Sequence, residues 1–253
     1  LLFIDGKFFS SRLIMGTSLF PNQSVLTNSL EISGTKIVTV AIRRVDLKSE
    51  INIFNLLKDK YSFLPNTAGC YTSKEAILTA ELSREALNTN WIKLEIIANE
   101  ETLLPDSIEL LNTVKILVKK KFKIFAYCND DPVICKKLED LGCVAVMPLV
   151  SPIGSALGIR NEHNLELIRH VCKGILIVDA GIGKPSDAAR VMELGFDGVL
   201  LNSAVARSQD PINMAEAMKL AILSGRKGFL SGMIEKSKFG LRSTKSSGKI
   251  TNF

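Results

Sequence analysis

The sequence predicts an α/β protein whose chain closes into a single (β/α)8, or TIM, barrel. Three observations carry this prediction: a length of 253 residues that suits one complete barrel, eight short β-rich runs, and helical segments between successive runs. The runs cover residues 13–16, 36–42, 62–65, 91–97, 123–127, 144–149, 174–179 and 198–202. The third is the weakest, because Pro65 shortens it and the helix before it, near residues 51–57, is brief. Thr72 and Glu75 have the spacing of a capping box ahead of Ile77, Leu78 and Leu82. Asp131 with Pro132 opens a further helix, and Gly142 is placed to close it. Asp210 and Pro211 start another, with Met214, Ala215, Met218 and Ile222 on one face and Gly225 as its expected stop. Strand followed by helix, repeated, demands parallel strands joined by crossovers, and eight such units permit closure. An open doubly wound sheet is the structural competitor. No linker rich in Pro, Gly or Ser interrupts the series, so residues 1–232 are expected to form one barrel domain and residues 233–253 a basic tail.

Composition narrows the function classes. Apolar residues make up 46% of the chain, yet no run reaches the eighteen or so needed to cross a bilayer, so a soluble protein without membrane association is expected. Residues 1–10 mix Asp5 and Lys7 into their apolar side chains, unlike a secretory signal. The five cysteines, at 70, 128, 135, 143 and 172, are odd in number and contain no CxxC pair, which disfavours both a disulfide framework and a zinc site. His163 and His170 are the only histidines, and no metal is expected. The net charge of +6 permits nucleic acid, an acidic protein or a phosphorylated metabolite as ligand and selects none. Much of it lies in residues 226–253, where seven Lys or Arg face only Glu235. That segment, with Ser246, Ser247 and Gly248, reads as a solvated tail and lacks the interleaved aromatic residues of a single-strand nucleic-acid binder.

Barrels of this kind work at the C-terminal ends of their strands. In the run at 91–97, period-two alternation sets Lys93 and Glu95 opposite Ile92, Leu94 and Ile96, so the two charges point inward. A buried lysine must be paired or discharged, and discharge makes it a nucleophile. A purely structural ion network is the alternative. In the run at 174–179, Ile175, Ile177 and Asp179 share a face, which brings Asp179 to the rim. An amine and two carboxylates at one mouth suit imine formation with proton shuttling. Small-residue loops follow three runs: residues 151–155 with Gly154, residues 180–183 with Ala180 and Gly181, and Asn202-Ser203. Singly each is an ordinary tight connection, but their joint placement favours a phosphate cradle. Cys128, after the fifth run, reads better as a half-buried thiol than as a sulfur carrier, since no basic neighbour lowers its pKa. Arg43 and Arg44 end the second run and suit either substrate anions or plain exposure.

Over nearly all of residues 3–230 the chain resembles thiazole synthase, the ThiG family. The resemblance rests on Thr39-Val40-Ala41-Ile42-Arg43-Arg44, Leu64-Pro65-Asn66-Thr67-Ala68-Gly69-Cys70, Trp91-Ile92-Lys93-Leu94-Glu95, Met147-Pro148-Leu149 and Val199-Leu200-Leu201-Asn202. Ser11-Arg12-Leu13 with Gly16-Thr17, residues 151–155, and residues 178–183 with Pro185-Ser186-Asp187-Ala188 extend it. It implies a barrel enzyme on which 1-deoxy-D-xylulose 5-phosphate forms an imine with Lys93. A thiocarboxylated carrier protein, ThiS, then donates sulfur, and dehydroglycine, made by a ThiH- or ThiO-type enzyme, supplies the remaining C–N unit. The same resemblance implies Glu95 and Asp179 as acid/base residues, Gly154, Ala180, Gly181, Asn202 and Ser203 as sugar-phosphate contacts, and a homotetramer. No cofactor is expected. Ser18 and Ala156 stand where the family has glycine, and Ser203 and Lys184 where threonine is common; Ala156 bears on affinity rather than reaction type. Abundant Lys, Ile, Asn and Phe fit an AT-rich genome, hence a plastid stroma or a bacterial cytoplasm. A class I aldolase-like barrel acting on a sugar phosphate, and a non-catalytic basic binding protein, are the rival readings.

Overall fold

The computed structural model describes residues 1–42 and 53–244. Arg43, Arg44, Ser246, Ser247 and Gly248 therefore lie outside the described residues. The chain begins with a hairpin, β1 (Leu2–Ile4) and β2 (Lys7–Phe9). The barrel strands follow: β3 (Leu13–Gly16), β4 (Ile37–Ala41), β5 (Ser62–Asn66), β6 (Trp91–Leu94), β7 (Lys123–Cys128), β8 (Ala145–Pro148), β9 (Ile175–Asp179) and β10 (Gly198–Leu201). The helices are α1 (Gln23–Ser33), α2 (Ile53–Leu57), α3 (Ser73–Leu87), α4 (Ser107–Lys119), α5 (Pro132–Asp140), α6 (Glu162–Val171), α7 (Pro185–Glu193), α8 (Ser203–Ala206) and α9 (Pro211–Ser231). Neighbouring barrel strands are parallel, and β10 returns to pair with β3 through Val199↔Leu13, Leu200↔Ile14 and Leu201↔Met15. That last pairing excludes the open doubly wound sheet.

Closure gives each strand two buried faces, which is why the strands read as nearly continuous apolar runs. Side chains facing the helices, among them Leu13, Val38, Ile92, Leu94, Ile124 and Val178, form the larger core layer. The opposite set, Ile14, Ile37, Leu64, Phe125, Met147 and Ile177, fills the barrel. The N-terminal hairpin plugs the barrel floor, with Leu2, Ile4 and Phe9 packed onto that interior set. Its turn is Asp5-Gly6, both residues at positive φ (47° and 78°), the backbone that a two-residue hairpin connection requires. Asp5 also accepts a hydrogen bond from the Trp91 indole at 2.9 Å, fixing the plug to β6. The composition of residues 1–10 gave no expectation of this hairpin, although Asp-Gly between alternating apolar residues is its signature.

Local signals place most helix ends where expected. Thr72 and Glu75 form a reciprocal capping box on α3, and Asp131 and Asp210 accept from backbone N–H groups at the starts of α5 and α9. Three expectations need correction. β5 continues past Pro65 to Asn66, because Pro65 sits opposite Val40 within the β4 ladder. The β6 ladder ends at Leu94 rather than at residue 97, since the chain then turns aside and Ile97 bridges to Pro105. Gly225 does not stop α9, which runs on to Ser231. It serves instead as a contact point: a Cβ there would lie 2.2 Å from the Ala189 carbonyl oxygen of α7.

Gly225→Ala should therefore destabilise the protein by about 1–3 kcal/mol through overpacking. Gly228→Ala, one turn further on where a Cβ meets nothing within 4 Å, should stabilise it by roughly 0.5–1 kcal/mol. Urea unfolding of both variants checks the pair, and equal effects would show that the α7–α9 approach does not constrain position 225.

Candidate active site

The inward register of β6 continues from Trp91 on the floor to Lys93 and then Glu95, while β9 carries Ile177 and then Asp179 up the facing wall. Apolar side chains fill the lower barrel, and charge begins only near the strand ends. Lys93, Glu95 and Asp179 remain 6%, 4% and 4% exposed. Lys93 Nζ lies 2.7 Å from Asp179 Oδ2 and 3.6 Å from Glu95 Oε2. At 2.7 Å the Lys93–Asp179 contact is a close ion pair within hydrogen-bonding distance.

The titration of these groups follows from their burial. Desolvation by itself would lower the Lys93 pKa, but the adjacent Asp179 and Glu95 outweigh it and raise lysine above its ordinary range. Burial raises both carboxyls: Asp179 is partly held down by Lys93, and Glu95 is held down by Lys93 but pushed up by Asp179. Two carboxylates around one ammonium leave an excess negative charge in a dry site, so the cluster readily takes up a proton. Transfer of the Lys93 proton to Asp179 releases a neutral amine, which is the form that attacks a carbonyl.

Two further side chains hold this centre. The ring of Tyr127, the inward neighbour on β7, lies 5.4 Å from Lys93 Nζ and presents its negative π face to the ammonium. Burial, with Asp179 and Glu95 nearby, raises its phenol and keeps it neutral. Thr67, fully buried just beyond β5, accepts from the Glu95 backbone N–H at 2.9 Å and donates to the Glu95 carbonyl at 2.7 Å. Its own N–H donates to the Lys93 carbonyl at 3.1 Å. β5 and β6 pair at Asn66↔Lys93, and Thr67 extends that junction with a side chain where the ladder ends. Extending period-two alternation along β7 from Phe125 would have found Tyr127. No sequence pattern marks Thr67, since its partner is 28 residues away.

All eight residues proposed from the sequence meet in one cleft of about 1350 Å³: Lys93, Glu95 and Asp179 together with Gly154, Ala180, Gly181, Asn202 and Ser203. The small residues have geometric reasons. Ala180 and Gly181 both adopt φ of 88°, and a Cβ on Gly181 would fall 2.2 Å from Ser151 Oγ. Ser151 donates to the Gly181 carbonyl at 3.2 Å, tying the loop after β8 to the loop after β9. Ala180 in this left-handed region costs roughly 1–3 kcal/mol, a strain typical of functional turns. Ala156 is also left-handed, with φ of 54°, which explains why glycine would suit its place. Ser18 accepts a hydrogen bond from Asn202 Nδ2 at 2.9 Å, joining the loops after β3 and β10. Gly16 allows this, because a Cβ there would lie 2.7 Å from that of Asn202. The remaining candidates lie elsewhere. Cys128 points outward beneath α5, with its Sγ 3.7 Å from that of Cys135, and burial pushes its thiol well up. His163 and His170 are exposed on α6.

The family model described as thiazole biosynthesis protein ThiG matches residues 3–245. A thiazole synthase of Geobacter sulfurreducens is 49% identical over 252 residues, covering 98% of this chain and 97% of that protein. A thiazole synthase of Sorangium cellulosum is 49% identical over 245 residues, covering 96% and 94%. Among solved structures, the Amycolatopsis orientalis BexX/CysO complex superposes with a TM-score of 0.85 at 24% identity, covering 94% of this chain and 98% of that one. 3-Hexulose-6-phosphate synthase of Salmonella typhimurium gives a TM-score of 0.60 at 15% identity, covering 85% and 99%. At these identities the two structures show the shared barrel fold.

Asp179→Asn removes the charge chiefly responsible for raising Lys93, so burial should prevail and the lysine pKa should fall. Reductive trapping of a small ketone on Lys93 across a pH series should then reach half-maximum at lower pH than in the wild type. An unchanged midpoint would show that the two groups are not coupled.

Proposed function

The chain belongs to the ThiG thiazole biosynthesis family, and from that premise we propose that Lys93 binds its sugar-phosphate substrate covalently as an imine. The protein is an enzyme of thiamin biosynthesis that transfers sulfur in forming the thiazole ring. The observation that carries the covalent reading is a lysine amine, 6% exposed, in contact with two carboxyls on the wall of an open cleft.

On this reading the substrate is 1-deoxy-D-xylulose 5-phosphate. Lys93 passes a proton to Asp179, and its free amine adds to the C2 carbonyl. The resulting carbinolamine loses its hydroxyl as water, with Asp179 or Glu95 as proton donor, and the C=N bond forms. Glu95 and Asp179 then move protons on the imine carbons so that the carbonyl function migrates along the chain. A thiocarboxylated ThiS-type carrier delivers sulfur, and dehydroglycine from a ThiH- or ThiO-type enzyme contributes the C–N unit. Gly154, Ala180, Gly181, Asn202 and Ser203 contact the sugar phosphate, whose anion suits the bare backbone of these loops. BexX, which has a similar fold, forms a complex with CysO, and this supports a protein partner for the present chain.

Residues 1–232 act as the synthase barrel and residues 233–253 as an appended basic tail. The assembly is a homotetramer. No described helix is long and apolar enough to cross a membrane. The relatives named above are bacterial and support a bacterial cytoplasm; a plastid location draws no support from them.

Intact mass after incubation with 1-deoxy-D-xylulose 5-phosphate and borohydride should show an adduct that maps to Lys93 and is absent from folded Lys93→Ala. Retention of the adduct in that variant would overturn the assignment, and release of an aldehyde without a sulfur donor would favour an aldolase. Asp179→Asn should slow turnover about 10²–10⁴-fold if Asp179 transfers protons. A wild-type rate would leave it a structural residue.

A further inference from the structure

The charges along the cleft are unevenly distributed. At its base two carboxyls surround a single ammonium. Among the described residues, the other charged side chains that line it are Arg207 and Asp210, both beyond β10. The Asp210 carboxylate is engaged as the N-cap of α9, accepting from the Asn213 N–H at 3.0 Å. Arg207 has no such commitment: its backbone N–H closes α8 by donating to the Ser203 carbonyl at 3.0 Å, and its guanidinium has no ion pair or hydrogen bond among the described residues. The side chain nevertheless reaches across the cleft rim. Its Nη1 and Ser203 Oγ each lie 3.7 Å from the point that a Cβ on Gly154 would occupy. Gly154 belongs to the loop after β8, whereas Arg207 follows β10, so the guanidinium spans the gap between these loops.

A substrate bearing a phosphate dianion is repelled by the Glu95 and Asp179 end and attracted to the rim. A planar guanidinium also offers paired N–H groups that match two phosphate oxygens. We propose that Arg207 is a specificity-determining residue of this enzyme, gripping the substrate phosphate between Gly154 and Ser203. The inference rests on the sugar-phosphate reading above and adds to it a side-chain cation that selects phosphorylated over phosphate-free ketones. Gly154 leaves room beside the guanidinium, and the Ser203 hydroxyl supplies a further donor to the same anion. Because Arg207 is exposed, its contribution lies at the lower end for a charge-assisted hydrogen bond, about tenfold in affinity.

Two measurements on wild type, Arg207→Ala and Arg207→Lys test this. The first is binding of inorganic phosphate by calorimetry, which requires no imine. Arg207→Ala should weaken it about tenfold, with Arg207→Lys intermediate because it keeps the charge and loses the fork. The second is borohydride capture of 1-deoxy-D-xylulose 5-phosphate and of its phosphate-free analogue. The ratio of their half-saturating concentrations should shift about tenfold against the phosphorylated ketone in Arg207→Ala. Equal phosphate binding by wild type and Arg207→Ala would overturn the proposal, as would equal weakening of both ketones. Phosphate binding that depends on Arg207 without any ketone adduct would instead retain the anion site and refute the imine reading.

Discussion

Pairing of β10 with β3 closes the sheet, and closure leaves the barrel interior just wide enough for side chains from alternate positions of its strands. Each inward position is therefore either packed or committed to chemistry. Ile14, Ile37, Leu64, Phe125 and Ile177 fill the lower interior, and the hairpin side chains of Leu2, Ile4 and Phe9 seal it below. Water is thus excluded from beneath the charged level, and Lys93, Glu95 and Asp179 lose their hydration because they stand on that floor. The raised carboxyls and the close charge contact are consequences of the same closure.

A buried ammonium with two carboxyls is a poor device for stability, because the cost of desolvating three groups offsets most of their mutual attraction. On the proposed imine chemistry its value is chemical. A proton shared among groups at 2.7 Å and 3.6 Å moves with little solvent reorganisation, so lysine can be stored charged and used neutral. The surroundings support this function at some conformational cost. Ala180 and Ala156 occupy left-handed backbone, and Thr67 uses its hydroxyl to hold the strand segment that carries Lys93 and Glu95. The loops that would meet an anion are tied to one another by Ser151 and by the Ser18–Asn202 hydrogen bond. These ties let several loops act as one preorganised rim.

Local chemistry made much of this legible in advance. Each barrel strand grows from one of the eight apolar runs, because a strand buried on both faces must be apolar along its length. The caps at Thr72, Asp131 and Asp210 are short-range hydrogen bonds, and their residue types announce them. Alternation alone sufficed to set Lys93 and Glu95 inward. Gly225 was misleading for a reason of scale: as a helix breaker its local tendency is to end α9, but the approach of Ala189 demands a residue without a side chain inside the helix. The extent of β5 beyond Pro65 and the early end of the β6 ladder likewise depend on partners supplied by neighbouring strands.

The sequence by itself determined the strand and helix periodicities, the inward positions of Lys93, Glu95 and Asp179 along their strands and the set of small-residue turns, since all three are properties of residues near one another in the chain. Tertiary structure alone decided which ends meet. Closure brings Asp179 within 2.7 Å of Lys93, across 86 positions of sequence, sets the Tyr127 ring beside the same amine and carries the Arg207 guanidinium to Gly154. Those distances depend on strand register and shear around the whole barrel, and no local pattern encodes them.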